Sequence, residues 1–99
     1  MEPSITFDKE NIAAFCVKHH IIKLALFGSV LTERFREDSD VDVLVEFDPD
    51  HGPNLIDVVR MERELSEMFG RKADMRTAED LSRLFREEVV RTALVQYAA

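Results

Sequence analysis

The stretch Asp40-Val41-Asp42-Val43-Leu44-Val45-Glu46-Phe47 decides the fold. Side chains of an extended chain alternate between two faces, so Val41, Val43, Val45 and Phe47 share one side. Asp42 and Glu46 take the other, with Asp40 extending the acidic row. This is a strand buried on one face and polar on the other. Upstream, Ile21-Ile22-Lys23-Leu24-Ala25-Leu26-Phe27 is short, apolar and bounded by Gly28, which marks a second, buried strand. Residues 29–35, between the two strands, are expected to form a short helix.

Working outward, residues 8–19 place Ile12, Phe15, Cys16 and His19 at helical spacing, with Thr6 or Asp8 as N-cap. Asp48-Pro49-Asp50-His51-Gly52-Pro53 is a loop by its turn residues. From Asn54 to Phe69, Leu55, Val58, Val59, Leu65, Met68 and Phe69 repeat with a helical period, Asn54 capping the start and Gly70 the end. Residues 72–76 read as a third strand. Thr77 and Asp80 have the spacing of a capping box, predicting helix from there to about Tyr97. The order α-β-α-β-α-β-α gives an α/β (α+β) chain with helices packed on a small sheet.

Length supports one domain, residues 1–99, with a small core. The chain is 45% hydrophobic and 33% charged with three Gly and three Pro, which excludes collagen-like, low-complexity and coil-dominated classes. Thirteen Lys and Arg against twenty Asp and Glu leave a net charge of -7, a field that repels nucleic acid. Cys16 is the single cysteine, so no internal disulfide or cysteine-based zinc cluster can form; its place on the apolar stripe predicts a buried thiol. The opening Met1-Glu2-Pro3-Ser4 is acidic and leads into no apolar targeting segment. No uncharged apolar run approaches the roughly eighteen residues of a spanning helix. The expected location is cytoplasmic, away from membranes.

The chemistry concentrates between Gly28 and Asp42. Asp40 and Asp42 project from one face of a strand with Cα atoms about 7 Å apart. Neighbouring carboxylates at 4 Å repel by about 1 kcal/mol in water and about 4 at an effective dielectric of 20. A divalent cation removes that repulsion, and an all-oxygen donor set suits Mg²⁺ or Mn²⁺. Asp74, on the next strand, can join the pair if the two strands are neighbours. Three carboxylates at metal beside a Gly-Ser turn suit phosphoryl or nucleotidyl transfer, with Asp74 as metal-bridging base. The turn adds a close backbone approach, a hydroxyl and helix N-terminal N–H groups for terminal phosphates.

These residues resemble the minimal nucleotidyltransferases, small members of the DNA polymerase beta-like superfamily. The likeness rests on G-S-x10-D-x-D at Gly28, Ser29, Asp40 and Asp42, and on the later strand aspartate, Asp74. Leu26-Phe27-Gly28-Ser29, Asp38 to Phe47, and the Gly-terminated helix before the Asp74 strand carry it over almost the whole chain. The resemblance implies the polymerase beta-like fold, a mixed sheet of three to four strands flanked by helices. It further implies an antitoxin, encoded beside a HEPN-domain ribonuclease toxin, that transfers AMP from ATP to a toxin tyrosine hydroxyl. On that pattern Asp40, Asp42 and Asp74 hold Mg²⁺, Gly28 and Ser29 hold the triphosphate, and the partner is the toxin, in a hetero-oligomer. The sequence departs from it at Val30 and Thr32, where many relatives are basic, and at Glu33, often Gly. Arg34 and Arg36 are the nearest replacements, and Arg36 is the cation assigned to the nucleotide.

The remaining polar residues have simpler roles. His19 and His20 close a helix where positive charge favours the dipole, and His51 sits in a solvated loop. Met61 and Met68 are expected in the core. Arg60, Glu62, Arg63, Glu64 and Glu67 have the pattern of a solvated helix face. Phe35 belongs either to the core or to a nucleotide pocket. Two other functions fit less well: a non-catalytic antitoxin that docks through its acidic surface, and a Mg²⁺ nuclease, which the negative field opposes.

Overall fold

The structure, a computed structural model, describes residues 5–99; the Met1-Glu2-Pro3-Ser4 reading lies outside the described residues. Helix α1 (Lys9–Lys18) starts where the Asp8 carboxylate accepts the Glu10 N–H at 2.8 Å. It is followed by β1 (Ile21–Phe27), β2 (Val41–Phe47), α2 (Leu55–Phe69), β3 (Ala73–Arg76), α3 (Arg83–Thr92) and β4 (Leu94–Ala98). One mixed sheet runs β3-β2-β1-β4, with β1 antiparallel to β2 and β4, and β2 parallel to β3.

The period-2 reading of β2 holds. Val41, Val43 and Val45 are buried against Ile12, Phe15 and Cys16 of α1 and Met61, Leu65 and Phe69 of α2. Each such side chain contributes roughly 1.5–3 kcal/mol when removed from water. Helix α2 has the caps expected of it. Asn54 and Asp57 exchange backbone and side-chain hydrogen bonds, and Gly70 ends the helix in the left-handed region at φ 68°. Cys16 is fully buried and Met61 lies in the core, with Met68 packed at its edge.

Two expectations are corrected. Residues 29–35 form no α-helix: a single 3-10 turn over Gly28–Leu31 stops at Thr32. The Thr32 hydroxyl donates to the Ser29 carbonyl at 2.9 Å and accepts the Arg34 N–H at 3.1 Å, offering the backbone an alternative to helix. Nor is the C-terminal segment one helix. The Thr77–Asp80 box exists but closes only a 3-10 turn, Ala78–Asp80. Ser82 caps a fresh helix, α3, and the chain then straightens into β4. Pairing with β4 gives the free edge of β1 its hydrogen-bond partners.

The acidic face of α2 is also less solvated than its pattern suggested. Glu64 receives Lys18 Nζ and His19 Nε2, each at 2.6 Å, and so ties α2 to the end of α1. Glu62 accepts the Met75 N–H at 2.7 Å, fastening α2 to β3. His19 serves Glu64, while His20 stacks on His51 with centroids 4.1 Å apart.

Candidate active site

Helices α1 and α2 cover one face of the sheet, and the other carries the acidic side chains, with Val90 of α3 reaching over its far end. Alternation puts Lys72, Asp74 and Arg76 on that acidic face along β3 and its lead-in. Asp40, Asp42, Leu44 and Glu46 line it along β2, and Phe27, Ala25 and Lys23 along β1. Register then sets the neighbours: Asp42 lies opposite Asp74 on one side and Phe27 on the other.

The turn after β1 closes on this point. Gly28 adopts φ 79°, and a Cβ there would stand 2.5 Å from Asp42 Oδ2. A side chain there would strain the backbone and push the Asp42 carboxylate aside, which explains glycine at this position on two independent grounds. Ser29, half-buried, follows in the 3-10 turn, and Val30 is driven fully into the core. A basic side chain at Val30 would therefore replace a core contact.

Asp42 carries the electrostatic strain of the site. Partial burial raises its pKa above the ordinary carboxylate value; Asp74 and, less strongly, Asp40 raise it further, while Arg76 opposes them. The one ammonium drawn in among the described residues is Lys72, whose Nζ stands 4.0 Å from Asp40 Oδ2 and 4.0 Å from Asp74 Oδ1. Among the described residues, no three carboxylate, imidazole or thiolate groups are already close enough to ligate one ion. The trio is brought to one corner of the sheet, with the lysine ammonium beside two of its members. Donor chemistry still fits a hard divalent cation, since all three groups offer carboxylate oxygen and Asp74 remains three-quarters buried.

Arg36 is exposed in the loop leading to β2. Its N–H donates to Ser39 Oγ at 2.9 Å and its carbonyl accepts Arg71 Nη1, so the loop backbone is pinned. The guanidinium of Arg71 also covers the Phe35 ring at 4.4 Å, and Phe35 packs on the edge of the core. Among the described residues, no hydrogen bond or ion pair joins Arg36 to the Gly28–Ser29 turn. Lys72 and Arg76 were the residues missed in reading the sequence. The signal was present, because both sit two positions from Asp74 and therefore on its face.

Beyond Asp42 along β2, a cavity of about 480 Å³ opens on the same face. Ala25, Leu44, Phe47, Pro49 and Val90 form apolar walls, with Lys23, Glu46, Thr77 and Glu79 among the polar ones. Its volume falls within the range of small-ligand pockets.

Comparison with known proteins identifies the family. A Methanocaldococcus jannaschii protein named as a protein adenylyltransferase is 33% identical over 86 residues, covering 87% of this chain and 90% of its own length. A solved structure described as a minimal nucleotidyltransferase superposes with a TM-score of 0.71 at 34% identity, covering 87% of this chain and 86% of that one. The fold also matches a toxin–antitoxin crystal structure containing AMP-PNP, with a TM-score of 0.73 at 16% identity, over 93% of this chain and 74% of that one. With the nucleotidyltransferase domain model matching residues 9–96, the chain belongs to the nucleotidyltransferase family and is an enzyme of that class.

Proposed function

We propose that this single-domain chain, residues 1–99, is a cytoplasmic, Mg²⁺-dependent protein adenylyltransferase. In this reading it transfers AMP from ATP to a tyrosine hydroxyl of a HEPN-type ribonuclease toxin, which it neutralises as an antitoxin. The observation that carries the reading is the corner where Asp42 faces Asp74 across β2 and β3, with Gly28 packed against the Asp42 carboxylate. The related protein adenylyltransferase supports transfer of an adenylyl group, and the structurally similar toxin–antitoxin complex supports a toxin partner.

Asp40, Asp42 and Asp74 would hold the metal, which supplies charge neutralisation at the phosphates and a lower pKa for the attacking hydroxyl. Asp74 takes up the hydroxyl proton. Gly28 and Ser29 receive the terminal phosphates through backbone N–H groups and the serine hydroxyl, with Arg36 adding charge from the adjoining loop. The acceptor oxygen forms a bond to the α-phosphorus as the bond to pyrophosphate breaks. In-line displacement needs entering and leaving oxygens on opposite sides. The turn borders Asp42 from the end of β1, and the cavity begins two residues further along β2, at Leu44. With pyrophosphate at the turn, this reading assigns the acceptor to the cavity.

The test is transfer of label from α-labelled ATP, with Mg²⁺, to the toxin encoded beside this chain. Label transferred by the wild type and absent with Asp40→Ala/Asp42→Ala supports the reading. Equal neutralisation by both proteins, with no label in either, would replace it with neutralisation by docking. The observation favouring that second reading is the exposed apolar set Leu55, Ile56 and Val59 on α2.

A further inference from the structure

The ammonium of Lys72 stands where the site has most need of positive charge. Its backbone is fixed on both sides. The Lys72 carbonyl accepts the Val41 N–H at 2.8 Å, and the next residue, Ala73, donates its N–H to Ser66 Oγ at 2.9 Å. Arg71, just before it, donates its own N–H to the Ser66 carbonyl at 3.2 Å and its side chain to Arg36. The stem of Lys72 therefore leaves the fold at a set place, level with the start of β2. Its tip lies equally far, 4.0 Å, from Asp40 Oδ2 just before β2 and from Asp74 Oδ1 on β3.

Such a contact is both useful and weak. It neutralises part of a three-carboxylate corner that repels itself. Yet the lysine side chain is 71% exposed, and solvent screens an ion pair of that kind heavily. A compact ammonium on a flexible stem can leave without disturbing the strand beneath it.

We infer that Lys72 is a positioning residue, an internal counter-cation that keeps Asp40 and Asp74 turned toward each other and yields its place to the divalent ion. The inference rests on the proposed metal-binding role of Asp40, Asp42 and Asp74, and adds how that corner is held before the metal arrives. No bond is made or broken: one cation replaces another.

The experiment is calorimetric titration of the whole chain with Mn²⁺, without nucleotide, together with thermal unfolding in chelator and in Mn²⁺. Wild type, Lys72→Met, Lys72→Arg, Lys23→Met and Asp42→Asn are compared. Lys23 serves as control because it carries the same charge on the same sheet face, at the far end of β1. Loss of the competing ammonium should tighten Mn²⁺ binding roughly two- to fivefold in Lys72→Met. Lys72→Arg should stay near wild type, and Lys23→Met should change little. Lys72→Met should also unfold at lower temperature in chelator and recover in Mn²⁺, a rescue that a purely structural role does not give. If wild type binds Mn²⁺, Asp42→Asn does not, and Lys72→Met binds equally or more weakly, the inference about Lys72 fails while the metal site stands. Equal tightening by Lys23→Met also overturns it, since bulk charge would then be the cause. Identical absence of binding in wild type and Asp42→Asn overturns both.

Discussion

Asp42 and Asp74 are direct partners across the parallel β2–β3 pairing, so two carboxylates occupy adjoining positions on one sheet face. Burial and Asp74 hold the Asp42 pKa above its ordinary value of 3.8. Between that value and the raised one, the folded chain binds more protons than the unfolded chain. Stability therefore falls as pH rises through this window. Asp42→Asn removes the charge and should raise stability at neutral pH by up to about 1 kcal/mol, since solvent screens the partly exposed carboxylate, a gain that is lost as pH falls through the window. Thermal unfolding from pH 3 to 8 checks it, and adenylyl transfer should be lost in the same variant.

Gly28 and Gly70 both have positive φ, at 79° and 68°, yet their surroundings differ. A Cβ at Gly70 meets nothing within 4 Å, whereas one at Gly28 runs into Asp42 Oδ2. Gly70→Ala should cost about 1–2 kcal/mol from backbone strain alone. Gly28→Ala should cost more and displace the Asp42 carboxylate. Comparing the two by chemical denaturation isolates the carboxylate contact. Equal losses would mean that Asp42 moves aside freely.

Much of this arrangement could be read from residue order. The alternation of Val41, Val43 and Val45 against Asp40 and Asp42 is a period-2 signal that only a half-buried strand produces. Asn54 and Gly70 bracket α2 through side-chain and backbone chemistry local to each end. Other features depended on tertiary partners. Leu94 to Ala98 follows α3 with only Ala93 between them, so no turn residue announces the change, and β4 exists because β1 has an edge to pair. The Ser29–Phe35 segment looked helical until the Thr32 hydroxyl took the local hydrogen bonds. Lys72 and Arg76 were legible as neighbours of Asp74 by spacing. That Lys72 reaches across to Asp40 depends on the parallel register, which residue order does not give.

Glu64 offers a second pH test with the opposite sign. The Lys18 hydrogen bond, against the opposing effect of burial, and then His19 hold its pKa below the ordinary 4.5. Its contribution to stability is present above 4.5 and is lost as pH falls through the lowered value. Glu64→Gln should destabilise the chain at neutral pH by up to about 1 kcal/mol, since the partners are partly exposed. Wild type and variant should converge in acid, as thermal unfolding across pH can show.

Cys16 lies fully inside the core, and burial pushes its thiol up to about 12. The thiolate is the nucleophile, so the native protein should resist iodoacetamide at pH 8 and react only on unfolding. Mass spectrometry of the chain, with and without denaturant, measures this directly. Rapid native alkylation would contradict a closed interface between α1 and the sheet.

Val90 tests the side from which the acceptor enters. It projects from α3 as part of the cavity wall, 41% exposed, while Leu44 forms another wall two residues along β2 from Asp42. A tryptophan at Val90 adds bulk to the cavity without touching the turn or the carboxylates. If the acceptor side chain occupies this space, Val90→Trp should leave Mg²⁺–ATP affinity within about twofold of wild type. Transfer to the protein acceptor should fall by roughly tenfold or more, because misplacing a reacting group by an ångström costs up to about 10²-fold. Calorimetry with a non-hydrolysable ATP analogue and label transfer from ATP measure the two effects separately. Loss of nucleotide binding with transfer reduced only in proportion would place the nucleotide, not the acceptor, over Leu44.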